Sequence, residues 1–478
     1  MTSLKKVSYN SFLYTLSTLL LRASSLFLFP ILSSYLTDKD YGIISVVQSI
    51  TAFTAVIAGL GLTNSLTREI HQKHNLLNEN QIISTSLILS FISNLFLTTI
   101  ILLFGNVILK PILNDIPANP YLLIGACSLP FMAIVDVFRN YLKAIQNGLQ
   151  AFILDFSFYG LIIGFNLLFI VNFKMKAEAI LISSTIISIL FSFFLLVLFR
   201  KKITFKIPVA TIKSMLSYSL PLMPFFILNI FFDSIDKLML NSFHGSSISG
   251  IYYLAITFSS LFSSFKEGLL NAFAPFAYSK FSKDANPRNE IITIVCLGCL
   301  GAFFVSLFSK EIITILSNNP DFIVANKYIP LIIISLLIVF LGQIINIKTL
   351  FFGNYSKYLF IATFIGMIVD LGLCYFLVPK GSIFGAIISR TCGFLIQTFI
   401  FIYFSLKEIK GKNTFNYKLI SLLTLITTFF ILCVGKFDDM NFSLLHSIFI
   451  KISVAIIISL SIIPFINKIK IILTSKNE

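Results

Sequence analysis

Residues 231–240 read FFDSIDKLML, with PLMPFFILNI before them and NSF after. Asp233, Asp236 and Lys237 thus stand inside an otherwise unbroken apolar run. A lone charge at the centre of a bilayer costs about 2.5–3.5 kcal/mol on insertion scales, so a chain keeps one only where protein or water satisfies it. On a helix the three residues fall at i, i+3 and i+4 and share one face, where Asp233 and Lys237 can pair. Asp236 is then left for another partner, a proton or an ion. Two readings follow. The cluster is an internal salt bridge locking two helices, or it is the wall of a cavity that carries substrate contacts or a coupling ion.

Composition settles the class. Of 478 residues, 57% are hydrophobic and 12% charged, against roughly a quarter charged in a soluble domain. A chain this apolar cannot cover a water-facing surface, and the fold class expected is an all-α polytopic membrane protein. Apolar runs bounded by polar clusters predict fourteen spans: 9–35, 42–66, 82–109, 121–145, 151–172, 178–199, 211–241, 249–278, 290–309, 328–351, 357–378, 382–406, 418–435 and 444–466. Lys5 and Lys6 ahead of the first run give it the look of a signal peptide. The run is too long for one and contains Arg22, so it reads as the first span.

The basic residues then orient the chain. With the N-terminus in the cytoplasm, 23 Lys and Arg fall in cytoplasmic segments and 8 in outer loops. The net charge of +16 is therefore mostly a topology signal, and no nucleic-acid partner is needed to explain it. The loops are short and leave no room for an extramembrane catalytic domain. A Walker A sequence is absent, and Gly59-Leu60-Gly61 has no following glycine at dinucleotide spacing, so it reads as close helix packing. Cys296-Leu297-Gly298-Cys299 has redox spacing but lies mid-span among small residues, which suits helix packing. No cofactor, no metal and no enzyme activity are expected.

A weak repeat runs through the chain. Tyr41-Gly42-Ile43 and Ser249-Gly250-Ile251 are 208 residues apart, Gly61-Leu62-Thr63-Asn64 and Gly268-Leu269-Leu270-Asn271 are 207 apart, and Ser8-Tyr9 and Ser217-Tyr218 are 209 apart. An offset of six spans keeps both copies in the same orientation, as in transporters built from parallel repeats. This predicts a six-helix lobe over 1–206, a second over 207–410, and two further helices with a tail over 411–478.

Further charges inside the spans are Arg22, Asp136, Asp155, Lys266, Glu267, Asp370 and Arg390. Asp136, Arg139 and Asp155 read as a structural group near the cytoplasmic surface. Arg22, Lys266 and Arg390, with Asp236, Lys237 and Asn271, are the candidate cavity residues, because buried Arg and Lys suit phosphate oxygens. Asp233, Asp236, Glu267 and Asp370 are the candidates for ion coupling. Counted over the spans, positives and negatives nearly balance, so a cationic path depends on where each side chain points.

Several stretches resemble Wzx-type polysaccharide flippases of the MOP exporter superfamily. LPLMPFFILNIFFDSIDKLMLNSFHGSSISGIYYLA (220–255) is similar to the family's seventh and eighth helices, with Asp236-Lys237 where an Asp-Arg pair is more usual. FPILSSYLTDKDYGIISVV (29–47), FRNYLKAIQN (138–147) and LVPKGSIFGAIISR (377–390) look like its 1–2, 4–5 and 11–12 junctions. The resemblance implies two six-helix lobes working by alternating access in a bacterial plasma membrane. The implied cargo is an undecaprenyl-diphosphate-linked oligosaccharide, such as an O-antigen or capsule repeat unit. A polysaccharide polymerase and chain-length proteins are implied as partners alongside membrane lipids. The runner-up is a cation-coupled multidrug exporter of the related MATE class, usually with twelve helices.

Overall fold

A computed structural model describes residues 13, 16, 28–71, 78–204, 207–282, 287–317, 319–351, 356–407, 415–438 and 446–453. Among these there is no strand. The helices that matter below are α1 (Asp38–Ala58), α2 (Leu62–His71), α3 (Glu79–Ile108), α4 (Ala118–Ala144), α5 (Gly148–Asn172), α6 (Ala177–Leu198), α7 (Val209–His244), α8 (Ser246–Ser282), α9 (Arg288–Leu307), α10 (Ser309–Leu316), α11 (Ile329–Phe351), α12 (Ser356–Lys407) and α13 (Tyr417–Asp438). Eleven described helices are long and apolar enough to cross a membrane. The chain is thus an all-α polytopic membrane protein. It divides into two compact units, Met1–Tyr253 and Leu254–Glu478.

The predicted spans 357–378 and 382–406 are two helices, labelled together as the two arms of α12, that meet at Ser382, where φ is 48° and ψ −128°. Pro379 lies inside the first arm. A proline removes a backbone donor and collides with the turn before it, so it weakens the end of the first arm, and the positive φ at Ser382, three residues on, makes the break. The two arms then press together, since a Cβ on Gly385 would lie 2.4 Å from the Leu377 carbonyl oxygen. The predicted span 42–66 instead ends early. α1 stops at Ala58, Leu60 and Gly61 take φ of 50° and 63°, and the chain restarts as α2. Gly59 and Gly61 therefore belong to a turn rather than to a continuous helix, although Gly61 also packs closely on Ser219, 3.2 Å from its carbonyl oxygen as measured from a built Cβ. The segment 309–328, between the predicted spans 290–309 and 328–351, is helical too, as α10 and the 3-10 turn Pro320–Lys327.

Some helices bury small polar residues and expose large apolar ones, beside an apolar core elsewhere. On α3, Ser84, Ser86, Ser90, Asn94 and Thr98 are buried while Phe96, Leu103 and Val107 are exposed. Hydrocarbon rewards no burial of apolar side chains, so small polar residues that permit close approach take the inner face. Ser84, Ser86 and Asn94 return their donors to the carbonyls four residues back. In Met1–Tyr253 the core is aromatic: Phe158 and Phe191 meet edge to face at 5.3 Å, and Phe138 stacks on Phe199 at 4.8 Å. In Leu254–Glu478 the Cys296–Cys299 stretch packs as expected, with Gly298 against the Phe340 ring and Cys299 buried as a free thiol.

Two glycines fix how α1 meets α8. The α1 start is cut by a capping box, Thr37 with Asp40, and the helix then lies against the first turn of α8. A Cβ on Gly42 would sit 1.9 Å from the Ser246 carbonyl oxygen, and one on Gly250 would sit 1.9 Å from that of Asp38. Gly42 and Gly250 are 208 residues apart, as are Asp38 and Ser246, so the related segments touch each other reciprocally. Gly250→Val forces these backbones apart. It is expected to cost at least the roughly 1–3 kcal/mol of an overpacked site and to lower the unfolding midpoint in detergent, whereas Gly160→Ala, in open space on α5, leaves it unchanged or raises it.

Candidate functional site

The stretch that opens the sequence reading lies on α7, and its charges do not share one environment. Asp233 is exposed, Asp236 wholly buried and Lys237 half-buried. Asp236 and Tyr252 meet through a hydrogen bond, the phenol donating to Oδ2 at 2.7 Å. Three residues along a helix turn a side chain by about 60°, enough to carry it across the edge of a buried stripe.

A turn further on, the same end of Met1–Tyr253 is tied by a polar lattice. Asn241 donates from Nδ2 to the carbonyls of Ile112 and Leu113 at 2.7 and 2.9 Å, and Asn114 donates to the Asn241 carbonyl at 2.9 Å. Asp115 accepts from the backbone N–H of Ser246 at 3.0 Å and from its hydroxyl at 2.6 Å. Ser247 donates to Asp38. Two carboxylates thus cap the start of α8, where free N–H groups and the helix dipole favour negative charge.

Deeper in the same unit is a cavity of about 330 Å³, walled by α1, α2, α3, α4 and α7. The turn at Gly59–Gly61 forms part of its wall, together with Asn64 on α2, Asn94 on α3 and Asn229 on α7. Asp136 also lines it. Arg139 holds that carboxylate at 2.5 Å and Asp155 at 2.6 Å, the group expected from the sequence. Asp136 keeps 43% of its side chain exposed, so the structural group also presents a carboxylate to the cavity. A second cavity of about 660 Å³ lies along α4, α5 and α6 and is apolar apart from Gln150 and Ser157, which suits acyl chains. At the surface, the Glu79 carboxylate accepts from Lys202 at 2.9 Å and holds its ammonium above the ordinary lysine range.

Leu254–Glu478 contains most of the remaining candidates. Lys266 on α8 is buried and donates to Gln343 Oε1 on α11 at 3.0 Å. Arg390 on α12 is buried, with its guanidinium 5.3 Å from the Phe394 ring centroid one turn on. Asp370, in the first arm of α12, is wholly buried. Glu267 is half-buried and Asn271 exposed. Arg22 lies outside the described residues. One buried ion pair was not foreseen: Lys451 donates to Glu311 Oε2 at 2.8 Å and Ser447 to Oε1 at 2.5 Å, tying 446–453 to α10. Lys451 was visible as a charge inside the predicted span 444–466. Its partner was hidden in a segment that reads as a loop.

A family model described as polysaccharide biosynthesis protein matches residues 7–276. Among solved structures, the lipid II flippase MurJ in an inward closed conformation is 16% identical, with TM-score 0.71, over 95% of this chain and 100% of that one. A multidrug resistance MATE family transporter of the MOP superfamily matches in an inward-facing conformation (16% identity, TM-score 0.60, 85% and 95% of the chains) and in an outward-facing one (16%, 0.56, 86% and 96%). A search of curated proteins finds no match. At this identity the structures establish a shared fold.

The Lys451–Glu311 pair gives a direct test of the packing. Lys451→Met leaves a buried carboxylate without its cation and is expected to cost about 3–5 kcal/mol, while the double change Lys451→Met with Glu311→Leu recovers most of that. Thermal unfolding of the detergent-solubilised variants measures both.

Proposed function

The chain belongs to the polysaccharide biosynthesis protein family, and from that premise we propose that it flips a lipid-linked oligosaccharide across a membrane by alternating access. The cargo is an undecaprenyl-diphosphate-linked repeat unit of an O-antigen, capsule or similar glycan. It moves from the inner to the outer leaflet of a bacterial plasma membrane, with both termini of the protein in the cytoplasm. The bias of Lys and Arg towards one set of loops supports this orientation.

The observation that carries the reading is a pair of cations kept inside apolar helices of a family member. Lys266 and Arg390 are buried, on α8 and α12, where an ammonium and a guanidinium are costly unless used. A diphosphate is the part of such a cargo that needs them, Arg as a planar fork and Lys as a point charge. Arg22 is assigned to the same task. Asp370 and Glu267, with Asp233, are the carboxylates proposed for ion coupling. Asp236 and Lys237 belong with the α7–α8 junction. In this reading the lattice of Asp38, Asp115 and Asn241 closes the outer end of the path. The reciprocal contact of Gly42 and Gly250 supports two parallel lobes over 1–206 and 207–410, with 411–478 as an added pair of helices. Partner enzymes would then be a polymerase and chain-length proteins acting on the delivered units.

The MATE-class reading uses the same fold, and the carboxylate of Asp136 in a cavity is what favours it. Two assays separate them. In a deletion strain, the wild-type gene is expected to restore surface glycan without raising resistance to cationic drugs. At matched amounts in the membrane, Lys266→Ala, Arg390→Ala and Arg22→Ala are each expected to cut glycan export about tenfold or more, the loss of one charge-assisted contact or more, and Lys266→Arg to retain most of it. Drug resistance with unchanged glycan would reverse the assignment.

A further inference from the structure

We propose that the cavity among α1, α2, α3, α4 and α7 is a sugar-binding site, one that takes neutral or amino sugars and excludes phosphate and uronic acids. The proposal rests on the flippase reading and assigns one part of the cargo to one place.

Charge decides what cannot bind. Among the described residues the cavity wall contains no Lys or Arg, and the one ionisable side chain there is Asp136. The guanidinium of Arg139 is already shared between Asp136 and Asp155. A phosphate or a uronate would therefore meet the Asp136 carboxylate with no lysine or arginine of the described wall left to offset it, which is repulsive in a site of low dielectric.

Hydrogen-bond capacity decides what can. Asn94 spends its amide nitrogen on the Ser90 carbonyl at 2.8 Å, and Asn229 spends its own on Phe225 at 2.7 Å. Each keeps its second N–H as a donor and its side-chain oxygen as acceptor. With the Asp136 carboxylate, acceptor sites outnumber donors among these three side chains, which suits a ligand rich in donors. Sugar hydroxyls and ammonium groups are such donors. Phe226 adds an apolar ring of the kind that covers the C–H face of a pyranose. The volume of about 330 Å³ is at the small end of ligand pockets, right for one or two rings rather than a whole repeat unit.

The test uses the full chain in nanodiscs and short-chain polyprenyl diphosphates as probes: bare, carrying N-acetylglucosamine or galactose, or carrying glucuronic acid. Affinities are measured by calorimetry. At least one neutral sugar is expected to tighten binding about tenfold over the bare probe, the return from one or two added hydrogen bonds. Glucuronic acid should give no gain in the wild type and should gain in Asp136→Asn. Asn94→Ala with Asn229→Ala should erase the neutral-sugar gain and leave bare-probe affinity unchanged. If that double variant also loses the bare probe, the single Asn229→Ala variant, at an exposed position, must still reduce the gain. Equal affinity for bare and sugar-bearing probes, a gain that survives these substitutions, or a wild-type preference for glucuronic acid overturns the site assignment alone. Failure of every lipid diphosphate to bind, with cationic drugs binding in the same cavity, overturns the flippase reading and the site with it.

Discussion

In hydrocarbon, a polar group must find its partner within the protein, and most of this structure follows from that requirement. The buried carboxylate of Asp236 has the Tyr252 hydroxyl, Lys266 has the Gln343 amide, and Glu311 has Lys451 and Ser447. Asp136 and Asp155 share Arg139. All but the Asp136–Arg139 bond, which lies within α4, join different helical segments, so these contacts fix which helices are neighbours in a medium where apolar burial expresses no preference. The small polar faces of helices such as α3 supply the close approach that such bonds require.

Much of this was legible beforehand, because the constraint acts on sequence directly. Span lengths, the bend at Pro379–Ser382 and the packing role of Cys296–Cys299 follow from local chemistry. So does the Asp136–Arg139–Asp155 group, whose members lie within twenty residues of one another. The partners of Asp236 and Lys266 were not legible. Tyr252 and Gln343 are ordinary residues in their own spans, and only the packing of helices selects them. The polar cavity was half seen. Asn64 stood out as part of a repeat, but Asn229 is an ordinary amide in its span and Asn94 is one of many Ser, Thr and Asn residues on α3. The early end of α1 was missed because Leu60 carries a positive φ that no sequence signal announces.

The shared fold leaves function to the walls. The same helical scaffold is found in MurJ and in MATE transporters, and fold alone does not choose between cargoes. Here the two units offer different chemistry: acceptors and one carboxylate around Asn94 and Asn229, cations at Lys266 and Arg390. A glycolipid diphosphate has both a donor-rich and an anionic part.

Where Gly42 and Gly250 touch, two backbones meet with no side chains between them. Interlocked side chains would have to repack whenever the crossing angle changed, while bare main chains can roll on each other like the faces of a bearing. α8 has 37 residues, about 55 Å of helix at 1.5 Å per residue. A tilt of about 10° at its first turn would carry its far end by about 10 Å, so a small change at the glycine contact is magnified along the helix.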